Sequence, residues 1–127
     1  MIDSILVYGA GSIGSLYAGH LSFGGSKIAL IGRDPHVEVC SSKGLAIFDV
    51  TSNKQLTTDP IIAFPTLDAL RQEVEINPDV IIVSCKAYDN EFAAEDLERI
   101  LGEDSSIKIV LLQNGVGNEE VFYEKFP

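Results

Sequence analysis

Ile5-Leu6-Val7-Tyr8 runs without a break into Gly9-Ala10-Gly11-Ser12-Ile13-Gly14, and apolar residues at helical spacing follow at Ile13, Leu16, Tyr17 and Leu21. A short apolar strand, a G-x-G-x-x-G turn and a helix in immediate succession leave few architectures open. The pattern predicts the opening of a βαβ unit whose turn approaches a dinucleotide. Each glycine has a separate task in such a turn. Gly9 allows the tight reversal, Gly11 lets the backbone come close to a pyrophosphate, and Gly14 lets helix and strand pack closely. Together with Ala10, Ser12 and Ile13 they would offer unpaired N–H groups to the phosphates at the positive end of the helix. The six-residue pattern alone matches any glycine-rich turn; the strand before it and the helix after it make it specific.

The rest of the chain continues the alternation. A strand is expected at about residues 4–8, a helix over 13–23 closed by Gly24-Gly25, and a strand over 27–31 that is continuously apolar after Lys27, as befits a parallel strand covered on both faces. Pro35 opens a short helix that Gly44 ends. Residues 45–50 and 55–58, separated by the polar break Thr51-Ser52-Asn53-Lys54, read as a hairpin inserted into the pattern. Thr66 can cap a helix bearing Leu67, Leu70 and Val74. Strands at 80–85 and 107–112 flank a helix over 91–101, and Asn118 is expected to cap a last helix. Such alternation predicts an α/β fold: a Rossmann-type, doubly wound, mainly parallel sheet with helices on both faces, and one dinucleotide-binding domain spanning residues 1–127.

Composition sets limits on partners. The 127 residues carry a formal charge of −10, which argues against broad binding to nucleic acid or an anionic membrane. An anionic cofactor would therefore depend on local positive groups. No run approaches the roughly 18 apolar residues of a membrane span, and the first residues carry no basic stretch of a secretory signal. Cys40 and Cys85 make neither a disulfide framework nor a metal-ligand pattern, so no metal is expected and a reducing cytoplasmic setting is the default.

In a doubly wound sheet the ligand lies at the carboxyl ends of the strands. The glycine turn, Gly32-Arg33-Asp34, Lys86-Ala87-Tyr88-Asp89 and Gln113-Asn114-Gly115-Val116-Gly117 all fall there. An NAD site places Asp or Glu about 20 residues beyond the glycine turn, to bind the ribose 2′-hydroxyl. Here Gly32 removes the carboxylate that would repel a 2′-phosphate, and Arg33 supplies a guanidinium that pairs with phosphate. This favours NADP(H), with Asp34 as the counter-signal. Lys86 taken alone reads as a solvated cation and Asn114 as a turn residue. Their place on the ligand edge, and the fact that the turn at Asn114 joins a strand to a helix, point to a binding role.

At four places the chain resembles the N-terminal domain of ketopantoate reductase (2-dehydropantoate 2-reductase). These are Gly9–Gly14, Gly32-Arg33, Val83-Ser84-Cys85-Lys86-Ala87-Tyr88 and Leu112-Gln113-Asn114-Gly115-Val116-Gly117-Asn118-Glu119-Glu120. The resemblance implies that the glycine turn and Arg33 bind NADPH, and that Lys86 and Asn114 lie near the nicotinamide ribose and the substrate. It implies hydride transfer to the keto carbon of ketopantoate, giving pantoate for pantothenate and coenzyme A biosynthesis. It also implies a helical C-terminal domain carrying the proton-donating lysine, which the residues up to Pro127 do not include. The general acid therefore stays unassigned, and the chain is expected to be the cofactor-binding part of a longer enzyme. The expected partner is a small keto acid, and a homodimer is compatible with this reading.

The remaining polar residues receive structural readings. His20 is expected to be structural at the polar-to-apolar boundary of the first helix, Cys85 a small buried hydrophobe at a strand end, and His36 a surface residue rather than an adenine contact, while Cys40 has no base close in sequence that would mark a nucleophile. Glu95, Asp96, Glu98, Glu103 and Asp104 are expected to form a solvated acidic face. Two other functions stay open: a related dehydrogenase of another 2-keto or 3-hydroxy acid, and a non-catalytic dinucleotide-sensing domain. Sensing domains of that kind usually keep an acidic residue after the second strand, where this chain has Gly32-Arg33.

Overall fold

The computed structural model describes residues 4–75, 77–101, 106–113, 115 and 117–126. Its strands are β1 (Ser4–Tyr8), β2 (Lys27–Ile31), β3 (Ala46–Asp49), β4 (Lys54–Thr57), β5 (Ile62–Phe64), β6 (Val80–Val83) and β7 (Lys108–Leu111). Its helices are α1 (Ser12–Phe23), α2 (His36–Lys43), α3 (Leu67–Glu73), α4 (Asn90–Leu101) and α5 (Asn118–Lys125). The main sheet has five strands in the order β5-β2-β1-β6-β7, and every pairing in it is parallel. With the hairpin set aside, that is the Rossmann order 3-2-1-4-5, and the strand order reverses at β1.

Successive side chains of a strand point to opposite faces, so the apolar strands build two cores at once. Ile5, Val7, Ile28, Leu30, Val80 and Ile82 face α1 and α2, where Ala18, Val37 and Cys40 meet them. Leu6, Tyr8, Ala29, Ile31, Ile81 and Val83 face the other way, against Leu67, Leu70, Ala93, Ala94, Leu97 and Phe122 of α3, α4 and α5. This two-sided burial is why residues 28–31 and 80–83 are continuous apolar runs.

Three expectations need correction. No sequence signal marks strand β5. It is three residues long, too short to display a period, and it follows Pro60 on the sheet edge beside β2. Of the apolar set on α1 only Leu21 packs on the core: Ile13, Leu16 and Tyr17 are exposed, and the buried stripe is Gly14, Ser15, Ala18 and Gly19. Small residues let the helix axis approach the strands closely, which turns the larger side chains outward. Finally, Asn118 is the first residue of α5, and Gly117 holds its cap position at φ 86°.

The expected hairpin is present as the separate antiparallel pair β3–β4. Ile47 of β3 covers Gly19 of α1, where an added Cβ would press on the end of the Ile47 side chain.

Candidate dinucleotide site

Gly9 follows the last residue of β1 at φ +114°, and its N–H still bonds the Ile31 carbonyl at 2.9 Å. A Cβ at this position would stand 2.6 Å from the Cys85 nitrogen. Gly9 is thus required twice, by its positive φ and by the strand-end backbone beside it. Gly14 is required by approach alone, since a Cβ there would overlap the Gly9 carbonyl oxygen and Ser84 Oγ. Ser84 itself donates to that same carbonyl at 2.7 Å, pinning the turn to the end of β6.

Gly11 is the opposite case. It caps α1, and an added Cβ would meet nothing within 4 Å. The protein has no packing reason for glycine at this position, which leaves the space beside it for something else to approach. The first turn of α1 contains no acidic residue. Ala10 and Ser12 flank Gly11, and Ser15 Oγ bonds the Ala10 carbonyl at 3.2 Å, drawing that acceptor back toward the helix. These features suit an anion at the helix start.

Two lobes open on either side of Gly11. One, about 470 Å³, lies between the glycine turn and the ends of β2 and β6, and is bordered by Arg33, Asp34, His36, Pro65 and Tyr88. The other, about 590 Å³, lies between α1 and the ends of β6 and β7, and is bordered by Ser12, Ile13, Tyr17, Leu112 and Gln113. Gly11, Ser84, Cys85 and Lys86 border both. Two lobes meeting at a helix N-terminus match the two halves of a dinucleotide joined through a pyrophosphate. That relationship gathers Gly9, Ala10, Gly11, Ser12, Ile13, Arg33 and Lys86 around one crevice. Asn114 lies outside the described residues; Gln113, which precedes it, borders the second lobe.

Arg33 and Lys86 are exposed, and among the described residues neither forms an ion pair. Asp34 and Asp89 stand beside them in the first lobe, so the fixed charges there balance despite the chain's net −10. Gly32 also has a steric role that its sequence neighbours do not announce. Any Cβ at position 32 would run into the Ala10 side chain, so an acidic residue cannot stand there without moving the glycine turn.

Several neighbouring residues differ from expectation. Cys85 is half-buried and borders both lobes, and burial followed by the charge of Asp89 pushes its thiol pKa up, so it stays protonated. Cys40 does have a nearby base in space, with His36 Nε2 at 3.7 Å from its sulfur, but the thiol is buried, and that burial pushes its pKa up. His36 is exposed, as expected, yet it is held by a 2.8 Å hydrogen bond to Ser15 Oγ at the helix start. His20 stays at the surface, edge-on to Phe23 at 6.4 Å between centroids.

Asp96 is not part of a solvated face. It is buried at 8% exposure, accepts from Tyr8 Oη at 2.7 Å and pairs with Arg99 at 2.7 Å. Glu95 is exposed as expected, whereas Glu103 and Asp104 lie outside the described residues. Helical periodicity could have flagged Asp96, because it falls between Ala93 and Leu97 on the apolar stripe. Asn90, 2% exposed, carried no such signal.

Comparison with known proteins follows the same lines. The family model for ketopantoate reductase PanE/ApbA matches residues 5–127. The 2-dehydropantoate 2-reductase of Pyrococcus abyssi is 34% identical over 120 residues, covering 94% of this chain and 36% of that protein. The enzyme of the same name from Aquifex aeolicus is 31% identical over 121 residues, covering 94% of this chain and 34% of that protein. The chain therefore spans about a third of the length of these relatives. Among solved structures, a PanE/ApbA family ketopantoate reductase from Ralstonia eutropha superposes with TM-score 0.82 at 24% identity, covering 97% of this chain and 38% of that one. A D-mandelate dehydrogenase in complex with NADH and anilino(oxo)acetate superposes with TM-score 0.76 at 28% identity, covering 98% of this chain and 37% of that one.

Proposed function

The chain belongs to the ketopantoate reductase PanE/ApbA family, and on that premise we propose that it is the NADP(H)-binding domain of a 2-dehydropantoate 2-reductase. The observation that carries this reading is the pair of lobes meeting at Gly11, with Arg33 bordering one lobe and Lys86 between the two. Bound there, the nicotinamide would supply hydride to a keto carbon, reducing ketopantoate to pantoate.

The chain's own residues have binding and orienting roles. The N–H groups of Ala10, Gly11, Ser12, Ile13 and Gly14 hold the pyrophosphate, while Gly9, whose N–H is spent on the Ile31 carbonyl, shapes the turn by its positive φ. Arg33 pairs with the 2′-phosphate, which a guanidinium can grip through two hydrogen bonds. Lys86 neutralises charge where the two lobes join, and with Asn114 contacts the nicotinamide ribose and the keto acid. The proton donor is assigned to the helical domain implied by the family resemblance, not to Lys86. A cytoplasmic setting, in which Cys40 and Cys85 remain thiols, belongs to the same reading. The neighbour that holds NADH makes cofactor choice the point to test.

Calorimetric titration with NADPH and NADH tests the proposal. Binding of NADPH in preference to NADH is expected; absence of binding to either would overturn the site, and a preference for NADH would overturn the role of Arg33. Mixed with NADPH and ketopantoate, this chain should leave the NADPH absorbance unchanged. Hydride and proton donors must both lie within near-attack distance, and misplacement alone can cost about a hundredfold. Rapid turnover by this chain would return Lys86 to consideration as the acid.

A further inference from the structure

At the ligand edge, the backbone ladder between β6 and β7 ends with the Leu112 N–H bonded to the Val83 carbonyl at 2.9 Å. Past that point the strands diverge and side chains take over. Gln113 Nε2 donates to the Cys85 carbonyl at 2.7 Å and to Asn90 Oδ1 at 2.6 Å, using both of its hydrogens. Asn90 Nδ2 returns a bond to Gln113 Oε1 at 3.1 Å, and the Cys85 thiol donates to Asn90 Oδ1 at 3.8 Å. The two amides thus pair reciprocally, and they tie the loop after β6, the start of α4 and the loop after β7 into one unit.

Two features distinguish this pair from ordinary core polarity. Gln113 borders the second lobe, whereas Asn90, at 2% exposure, sits behind it and touches no part of the crevice surface. The pair also holds the residues immediately before Lys86 and Asn114, with Cys85 gripped through its carbonyl and Gln113 through its own amide. An exposed lysine carries no positional information by itself; its placement depends on the backbone that carries it.

We propose that Asn90 and Gln113 form an amide clasp that sets the width of the nicotinamide-side lobe and thereby positions Lys86. This rests on the dinucleotide reading above and adds to it a pair of positioning residues. Neither residue borders the adenylate lobe, which the clasp reaches only through Cys85 and Lys86, so its effect falls mainly on the nicotinamide half of the cofactor. A buried amide that loses its partner keeps its desolvation cost, so each member depends on the other.

The test compares NADPH with 2′,5′-ADP, which lacks the nicotinamide half, by calorimetry on the unaltered chain, Gln113→Ala, Asn90→Ala and the double variant. Gln113 is only half-buried, so its truncation leaves the core intact if Asn90→Ala proves hard to fold. Each single variant should weaken NADPH about tenfold and leave 2′,5′-ADP within about twofold, and the double variant should be no weaker than the worse single one. Equal losses for both ligands would make the pair a general structural element and overturn the inference. Unchanged NADPH affinity, or losses that simply add, would overturn it as well. If the unaltered chain binds neither ligand, the dinucleotide reading itself fails and the inference falls with it. Retained 2′,5′-ADP binding with unchanged NADPH affinity in the variants removes the clasp alone.

Discussion

Tyr8 Oη donates to Asp96 Oδ2 at 2.7 Å, joining residues 88 positions apart. Tyr8 is the last residue of β1 and stands directly before Gly9, while the other oxygen of Asp96 takes Arg99 at 2.7 Å. Arg99 in turn grips Asp68 of α3 through two bonds, at 2.9 and 3.1 Å. The glycine turn is thereby anchored from beneath to α4 and α3. The Arg99–Asp68 arm is exposed and screened by solvent, so the anchor's strength lies in the buried Tyr8–Asp96 step.

Burial, then the bond to Asp96 and its charge, raises the Tyr8 pKa well above the ordinary value of 10.0. A group whose folded pKa is raised contributes stability that is complete below the unfolded value and is lost as pH rises toward the folded one. Thermal stability should therefore fall as pH climbs past about 10. Tyr8→Phe should cost about 1–3 kcal/mol at neutral pH, since Asp96 loses a buried donor, and should flatten the decline above pH 10. Cys40 and Cys85, also raised, keep a shallower alkaline loss in the variant. Melting curves across pH check this; an identical decline in the Phe variant would contradict it.

Gly11→Val should separate binding from folding. Apart from its chain neighbours, no protein atom lies within 4 Å of an added Cβ, so the melting temperature should change little. The branched side chain fills the space where a pyrophosphate must come, so NADPH binding should be lost. Normal binding by this variant would remove the glycine turn as the phosphate site.

Gly14→Ala should do the reverse. Its methyl group overlaps the Gly9 carbonyl oxygen and Ser84 Oγ, and the helix has to shift to admit it. A loss of about 1–3 kcal/mol in stability is expected, read by denaturant titration, with weakened cofactor binding as a consequence. Unchanged stability would show that α1 packs less closely on β1 than described.

Arg33→Ala should weaken NADPH about ten- to a hundredfold and NADH far less, the scale of a charge-assisted hydrogen bond at about 1.5–3 kcal/mol. Equal losses for both cofactors would mean that Arg33 does not read the 2′-phosphate.

The sequence alone was enough to locate the glycine turn, the alternation of strands and helices and the strand-end positions of Arg33 and Lys86. These depend on local rules: a turn that needs glycine at set offsets, strands apolar on both faces, and a ligand edge implied by parallel order. What it could not supply depends on contacts between distant segments. The burial of Asp96 requires Tyr8 to arrive from β1, and the clasp of Asn90 with Gln113 exists only where β6 and β7 part. Gly32 is needed because Ala10 lies against it, and α1 turns Ile13, Leu16 and Tyr17 outward because its small residues let it approach the sheet. The three-residue β5 forms a strand only because β2 offers it a partner. Periodicity records which side chains prefer burial, but only the packed structure decides which surface meets them.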